Sequence, residues 1–174
     1  SLLSRTAESF LHLGASLRAI VVEIEDRLPG SRDFIFEHLL KMHLTSIMLG
    51  LGPLPAVSHV EMLQGDWDGP GSTRRIGLAD GHSMLETLKD VSRPSSFSYS
   101  LTELTSVLRF LVLQFHGLWS LDACVSPAGE PQTLARWRYE FELRSPLAHP
   151  IAWIILVFLW RPYMKRALRR AAEM

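Results

Sequence analysis

Eight side chains in this sequence could together do acid–base chemistry: Arg74, Arg75, Glu86, Tyr99, His116, Trp119, Trp137 and Tyr139. All fall on segments patterned as strands, so alternate residues can share one face of a sheet. Taking a proton from a carbon beside a carbonyl needs an apolar wall to hold the substrate folded. It needs a donor, such as Arg or Tyr, for the enolate oxygen. It also needs a base, such as His or Glu. His116, in the run LVLQFHGLW, is the best base among the histidines, and Glu86 is the second; Arg74 and Tyr99 are the donors. Each also has a plainer reading. His116 can be a satisfied buried histidine, Tyr99 can be core, and Trp137, Tyr139 and Phe141 share one face as a core stripe would.

Other chemistries are poorly supplied. Net charge is zero, which argues against general nucleic-acid binding because that needs a basic excess. The one cysteine, Cys124, excludes an internal disulfide and a multi-cysteine zinc site, and fits a reducing, cytoplasmic setting. The seven histidines are scattered, and His38 and His43, at i and i+5, do not stack on one helix face, so no metal or cofactor is expected. There is no Gly-x-Ser-x-Gly elbow and no P-loop.

The stretch Gly65–Glu86 organises the chain. Asp68-Gly69-Pro70-Gly71 is a loop, and Asp80-Gly81 reads as a two-residue type I′ hairpin. That turn predicts Leu78 opposite Ser83, Gly77 opposite Met84, Ile76 opposite Leu85 and Arg75 opposite Glu86. Arg75–Glu86 would then be a surface pair or a cavity pair, and Arg74, sharing a face with Ile76, would point inward.

The positioning elements follow from periodicity. Residues 1–17 read as a peripheral helical extension, and residues 18–174 as the folded domain. Ile20, Val22 and Ile24 alternate on a strand that Pro29-Gly30 ends; Ser31 caps a helix to about Leu44. Strands follow at 57–63, 72–78, 82–90 and around Phe97, Tyr99 and Leu101. The run 108–125 reads as two strand segments with a bulge at Gly117. Residues 133–143 form the clearest strand. Ser145-Pro146 opens a helix to the end, with Pro150 and Pro162 marking starts or kinks. Its apolar run Ile151–Trp160 is far short of the ~20 residues a membrane span needs and reads as a buried core helix, with an interfacial helix backed by Arg161, Lys165, Arg166, Arg169 and Arg170 as the alternative. The N-terminus offers no convincing signal peptide.

This order resembles the helix-grip superfamily of START domains, Bet v 1-type proteins and the polyketide cyclase/dehydrase group (SRPBCC). The resemblance spans about residues 18–172. It is carried by Pro29–Leu39, Leu54-Pro55-Ala56-Val57, Gly71-Ser72-Thr73-Arg74, Asp80-Gly81 with Glu86 after it, Phe97-Ser98-Tyr99 and Trp137-Arg138-Tyr139-Glu140-Phe141. It implies an α+β fold, a curved antiparallel sheet wrapped around a long C-terminal helix. It also implies a cavity between them for a small apolar or aromatic ligand, with no shared catalytic motif. The expected function is therefore polyketide cyclase-like chemistry or, alternatively, non-catalytic carriage or sensing of a hydrophobic ligand, with peripheral membrane contact through the basic helix. The expected catalytic set is His116, Tyr99, Arg74 and Glu86. Arg75, Trp119, Trp137, Tyr139 and Trp153 are the expected ligand contacts. A third reading, a protein-interaction module, would show a filled core and an exposed apolar strip along Ile151–Trp160.

Overall fold

Period-two alternation sets the sheet. In the computed structural model, which describes residues 17–173, Ile20, Val22, Ile24 and Leu28 are buried along β1 (Ala19–Pro29) while their neighbours face solvent. Ser31 accepts a hydrogen bond from the Phe34 N–H at 3.4 Å and starts α1 (Arg32–Lys41), which ends three residues short of the expected Leu44; a separate turn, α2 (Leu44–Ile47), follows. Six strands come next: β2 (Val57–Gln64), β3 (Thr73–Leu78), β4 (Ser83–Ser92), β5 (Ser96–Thr102), β6 (Val112–Val125) and β7 (Pro131–Leu143). They form one curved antiparallel sheet in the order β1-β7-β6-β5-β4-β3-β2, closed along its concave face by α3 (Pro146–Glu173). This is the expected helix-grip architecture. The expected extension lies outside the described residues, apart from Leu17.

Two local expectations fail for identifiable reasons. The β3–β4 hairpin is not a two-residue turn. Gly81 N–H donates to Leu78 O at 3.0 Å, and Leu78 N–H to His82 O at 2.8 Å, with Gly81 at φ +85°. Ala79, Asp80 and Gly81 thus form a three-residue loop with a glycine in the left-handed region. The register moves by one: Gly77 faces Ser83, Ile76 faces Met84, Arg75 faces Leu85 and Arg74 faces Glu86. Gly117 is not a bulge either. It pairs regularly with Tyr99 and Tyr139, and the irregularity in β6 lies between Val112 and Gln114, after a short turn at Val107–Phe110.

Helix α3 is continuous across both prolines. Pro150 lies in its first turns, where an N–H is not needed. Before Pro162, which offers no N–H to the preceding turn, Leu156–Trp160 widens into a π-helical turn that re-registers the ladder. The expectation of a buried Ile151–Trp160 is only half met. Ala152, Leu156 and Trp160 are buried, but Ile151, Trp153, Ile154 and Phe158 are exposed.

Candidate functional site

The inward faces of β3 to β7 carry a layered wall. Three rows cross the sheet in register: Phe97–Trp119–Trp137, Tyr99–Gly117–Tyr139 and Leu101–Phe115–Phe141. Trp119 and Trp137 stack with centroids 4.6 Å apart, and Phe115 and Phe141 stack at 4.8 Å. From α3, Trp160 meets Phe115, Tyr139 and Phe141 edge-on and fills this half of the interior. Over β3–β5 the helix leaves room, and a cavity of about 350 Å³ remains. Its walls include Leu39, Met48, Ile76, Met84, Leu101 and Leu159. That size and character suit a small, mostly apolar molecule.

Few polar groups line it; apart from Asp80, Ser106 and Tyr163 they form two sets. The first is a directed hydrogen-bond chain. Trp137 Nε1–H donates to the Tyr99 hydroxyl at 2.8 Å, and Tyr99 O–H donates to the Tyr139 hydroxyl at 3.0 Å. The indole can only donate, and with the Tyr99 O–H directed at Tyr139 the Tyr139 proton is the chain's free end. Both rings line the cavity. Tyr99 reaches Tyr139 across β6 because Gly117 has no side chain: a Cβ there would lie 2.3 Å from Tyr99 Cζ and 2.6 Å from its oxygen. Burial first, and the nearby Glu86 carboxylate as well, hold both phenols above their ordinary range, so they stay protonated donors at neutral pH.

The second set is the buried ion pair Arg74–Glu86. Arg74 Nε–H donates to Glu86 Oε2 at 2.5 Å, with side chains 10% and 4% exposed. The register shift creates this pair: it turns Glu86 from the outer face, where a type I′ turn would put it, to the inner one. Burial pushes the Glu86 carboxyl above its ordinary range, with Arg74 opposing. The Arg74 guanidinium carbon lies 3.7 Å from the centroid of the Trp67 ring. Trp67, in the β2–β3 loop, is 5% exposed and sits at φ +56°, a left-handed conformation that bulky residues adopt only when their surroundings hold them. Among the described residues neither Arg74 Nη nor Glu86 Oε1 has a hydrogen-bond partner, so these atoms are available to an occupant.

The structure therefore brings Arg74, Glu86, Tyr99, Trp119, Trp137 and Tyr139 together around one cavity. Three expected residues are elsewhere. His116 is exposed on the outer face, because unbroken alternation sends Phe115 and Gly117 inward. Arg75 also faces outward and pairs with Glu103 at 2.9 Å. Trp153 lies on the solvent side of α3 against Phe158. Sequence reasoning passed over Trp67, Trp160 and Tyr163 as site residues. An aromatic inside the turn-rich run Asp66-Trp67-Asp68-Gly69 is the signal that could have found the first. Tyr163 donates to Pro55 O at 3.0 Å, and burial pushes its phenol up to about 12. Among the described residues no group of three or more His, Cys, Asp or Glu could hold a metal ion.

No protein-family model and no curated protein sequence matches this chain. Solved structures do. Norcoclaurine synthase from Thalictrum flavum, a point mutant with a transition-state analogue, aligns at TM-score 0.62 and 19% identity, covering 88% of this chain and 91% of that one. The same enzyme in complex with dopamine and hydroxybenzaldehyde aligns at TM-score 0.63 and 16% identity, covering 89% and 85%. A truncated form aligns at 0.64 and 16%, covering 89% and 92%. These identities establish shared architecture alone: the chain has the helix-grip, Bet v 1-like fold.

Proposed function

We propose that this protein binds a small, largely apolar molecule bearing a carbonyl in its internal cavity and acts on it by positioning and proton transfer, as polyketide cyclases do. The carrying observation is the one-way chain Trp137→Tyr99→Tyr139, which ends in a free O–H beside an apolar cavity that also holds Arg74 and Glu86. Fold neighbours crystallised with dopamine, hydroxybenzaldehyde and a transition-state analogue support small aromatic or carbonyl compounds as occupants.

The roles follow from the chemistry of each group. Tyr139 O–H and Arg74 Nη–H hold the carbonyl oxygen and the enolate that develops on it. Glu86, its carboxyl raised by burial, takes the proton from the adjacent carbon through Oε1. The C–H electron pair moves into the carbonyl, and the enolate carbon then attacks a second carbonyl of the folded substrate. The alkoxide formed takes its proton back from Glu86, so the carboxylate is restored. Tyr99 and Trp137 orient Tyr139, and Trp119 walls the site. His116 plays no part. The cytoplasmic setting that Cys124 fits belongs to the same proposal.

One observation favours the second reading, a non-catalytic carrier: Glu86 Oε2 is already engaged by Arg74. Native mass spectrometry of the purified protein, then denaturing extraction, identifies an occupant and hence a substrate class. Turnover of that compound class is then compared with Glu86→Gln and Tyr139→Phe variants. Retained binding with turnover reduced at least about a hundredfold by Glu86→Gln supports the enzyme. Retained binding with no turnover by wild type makes the protein a carrier. An empty cavity and no thermal shift across carbonyl compounds and lipids sinks both.

A further inference from the structure

The exposed face of α3 and the turn before β6 do not behave as solvent surface. Leu147 is 89% exposed, Val107 75%, Phe110 67%, Phe158 64%, Ile151 58% and Ile154 55%. These residues come from two elements that the backbone ties together: Arg144 N–H donates to Leu111 O at 3.0 Å, and the Arg144 side chain donates to Arg109 O. The two elements also flank the cavity, since Val107, Leu108 and Leu111 from one and Ile155 and Leu159 from the other line it. Val107 is both cavity wall and outer surface. The apolar strip is therefore continuous with the cavity mouth. An exposed apolar patch of this kind marks an interaction surface.

Charge says what covers it. Between Glu142 and Glu173 the chain has five arginines, one lysine and no acidic residue, in a protein of zero net charge. Arg144, Arg161, Lys165, Arg166 and Arg169 are exposed. Along α3 the outer stripe runs Ile151, Ile154, Phe158 and then Arg161, Lys165, Arg169, at steps of three and four residues: apolar first, cationic after. A second copy is a poor occupant, because a two-fold contact centred on the apolar half buries that half and leaves the cationic half at each end with nothing acidic to meet. An anionic bilayer matches both halves. Its acyl boundary takes the apolar turn and helix start, and its headgroups take the cations. The inner face of α3 stays packed in the protein, so the helix lies on the membrane and does not cross it, although it is long and apolar enough by composition.

We propose that this strip docks the protein on an anionic lipid surface with the cavity mouth against the bilayer, so that an apolar molecule enters from the membrane rather than through water. The second clause rests on the cavity being a ligand site; the docking does not.

The test is flotation of the full chain with vesicles of phosphatidylcholine alone and of phosphatidylcholine mixed with phosphatidylglycerol. Wild type is expected to float with the anionic vesicles, less with neutral ones, and less again at high salt. The double variant Ile154→Ser/Phe158→Ser changes only exposed positions and should keep the wild-type urea midpoint. Its partition coefficient should fall by about tenfold or more per residue. Arg161→Gln and Lys165→Gln should each cost about fivefold on anionic vesicles and nothing on neutral ones. Wild type remaining at the bottom of both gradients, or both variant sets floating like wild type, overturns the proposal. So does a dimer by light scattering that Phe158→Ser dissociates. Native mass spectrometry of wild type and the same double variant separates the two clauses: lost flotation with lost occupancy upholds both, lost flotation with wild-type occupancy upholds the docking and overturns entry from the membrane, and an empty wild-type cavity with intact flotation sinks only the cavity.

Discussion

Gly117→Ala should be among the most damaging single-methyl additions in this protein. The new Cβ would lie 2.3 Å from Tyr99 Cζ, 2.4 Å from Cε2 and 2.6 Å from the hydroxyl oxygen, well inside van der Waals contact. Tyr99 is 4% exposed, with Phe97 stacked beside it and Tyr139 meeting it edge-on, so its ring can give way only toward the cavity it lines, and that movement breaks its hydrogen bonds to Trp137 and Tyr139. Overpacking a filled site costs about 1–3 kcal/mol. Displacing Tyr99 also leaves the buried Trp137 N–H without its acceptor, which costs about 1–3 kcal/mol. Replacing a strand glycine by alanine returns about 0.5–1 kcal/mol. The net expectation is a loss of about 1–5 kcal/mol. Urea denaturation of wild type, Gly117→Ala, Tyr99→Ala and the double variant measures it as a cycle. With the Tyr99 ring removed, Gly117→Ala should cost almost nothing or stabilise slightly. The reasoning fails if the single variant lies within about 0.5 kcal/mol of wild type, or if its cost is the same with and without the Tyr99 ring.

The contrasting glycine is Gly77, where a Cβ would meet the His59 ring at 2.0 Å; His59 is exposed on an edge strand and can swing away, so Gly77→Ala should change the urea midpoint by less than about 0.5 kcal/mol. Arg74→Met leaves a buried carboxylate without its partner and should cost about 3–5 kcal/mol, whereas Arg74→Met/Glu86→Leu should be near neutral, a sign difference that equilibrium unfolding reads directly. Because burial raises the folded-state pKa of Glu86 above its usual 4.5, the native state holds the extra proton just above that pH. The associated stability is full below the usual value and is lost as pH rises through the raised one, so wild type should lose stability relative to Glu86→Gln from about pH 4.5 upward. A difference that moves the other way would mean that Arg74 outweighs burial.

The faces of the strands were legible because alternation is a local property. Trp137, Tyr139 and Phe141 point inward as the pattern says, and so does Arg74, which shares its face with Ile76. The hairpin register was not legible, because Asp80-Gly81 serves two turns equally well. A type I′ turn and a three-residue loop both want glycine in the left-handed region, and they differ by one residue of register. That one residue decides whether Glu86 is a surface carboxylate or a buried one. Gly117 illustrates a different limit. A glycine in an apolar strand signals a bulge or a close approach, and only the cross-strand partner, 18 positions earlier at Tyr99, says which. His116, a polar residue within the apolar run LVLQFHGLW, faces outward because Phe115 and Gly117 on either side of it face inward. Trp67 was missed because its one signal, an aromatic in a turn-rich run, does not reveal that Arg74, seven positions on, is its partner.

The cavity and the ion pair explain each other. Helix α3 packs on β1, and its Trp160 fills the β6–β7 half of the interior, so it does not fill the β3–β5 half, which Phe36 and Leu39 of α1 and Met48 at the end of α2 roof over, leaving the cavity. A buried Arg–Glu pair in that half is weakly justified as a strut, because desolvating two charges offsets their attraction. Trp67 supplies one wall by lying on the guanidinium, at the expense of a left-handed backbone. The remaining side faces the cavity. An occupant that displaces water there lowers the local dielectric, tightens Arg74 on Glu86 and raises the energetic importance of any oxygen it presents to the free Nη atoms. Ligand affinity and the strength of the pair are then coupled, so Arg74→Met should weaken binding of an oxygen-bearing ligand and leave that of a pure hydrocarbon of the same shape almost unchanged. The cavity alone would predict equal losses for both.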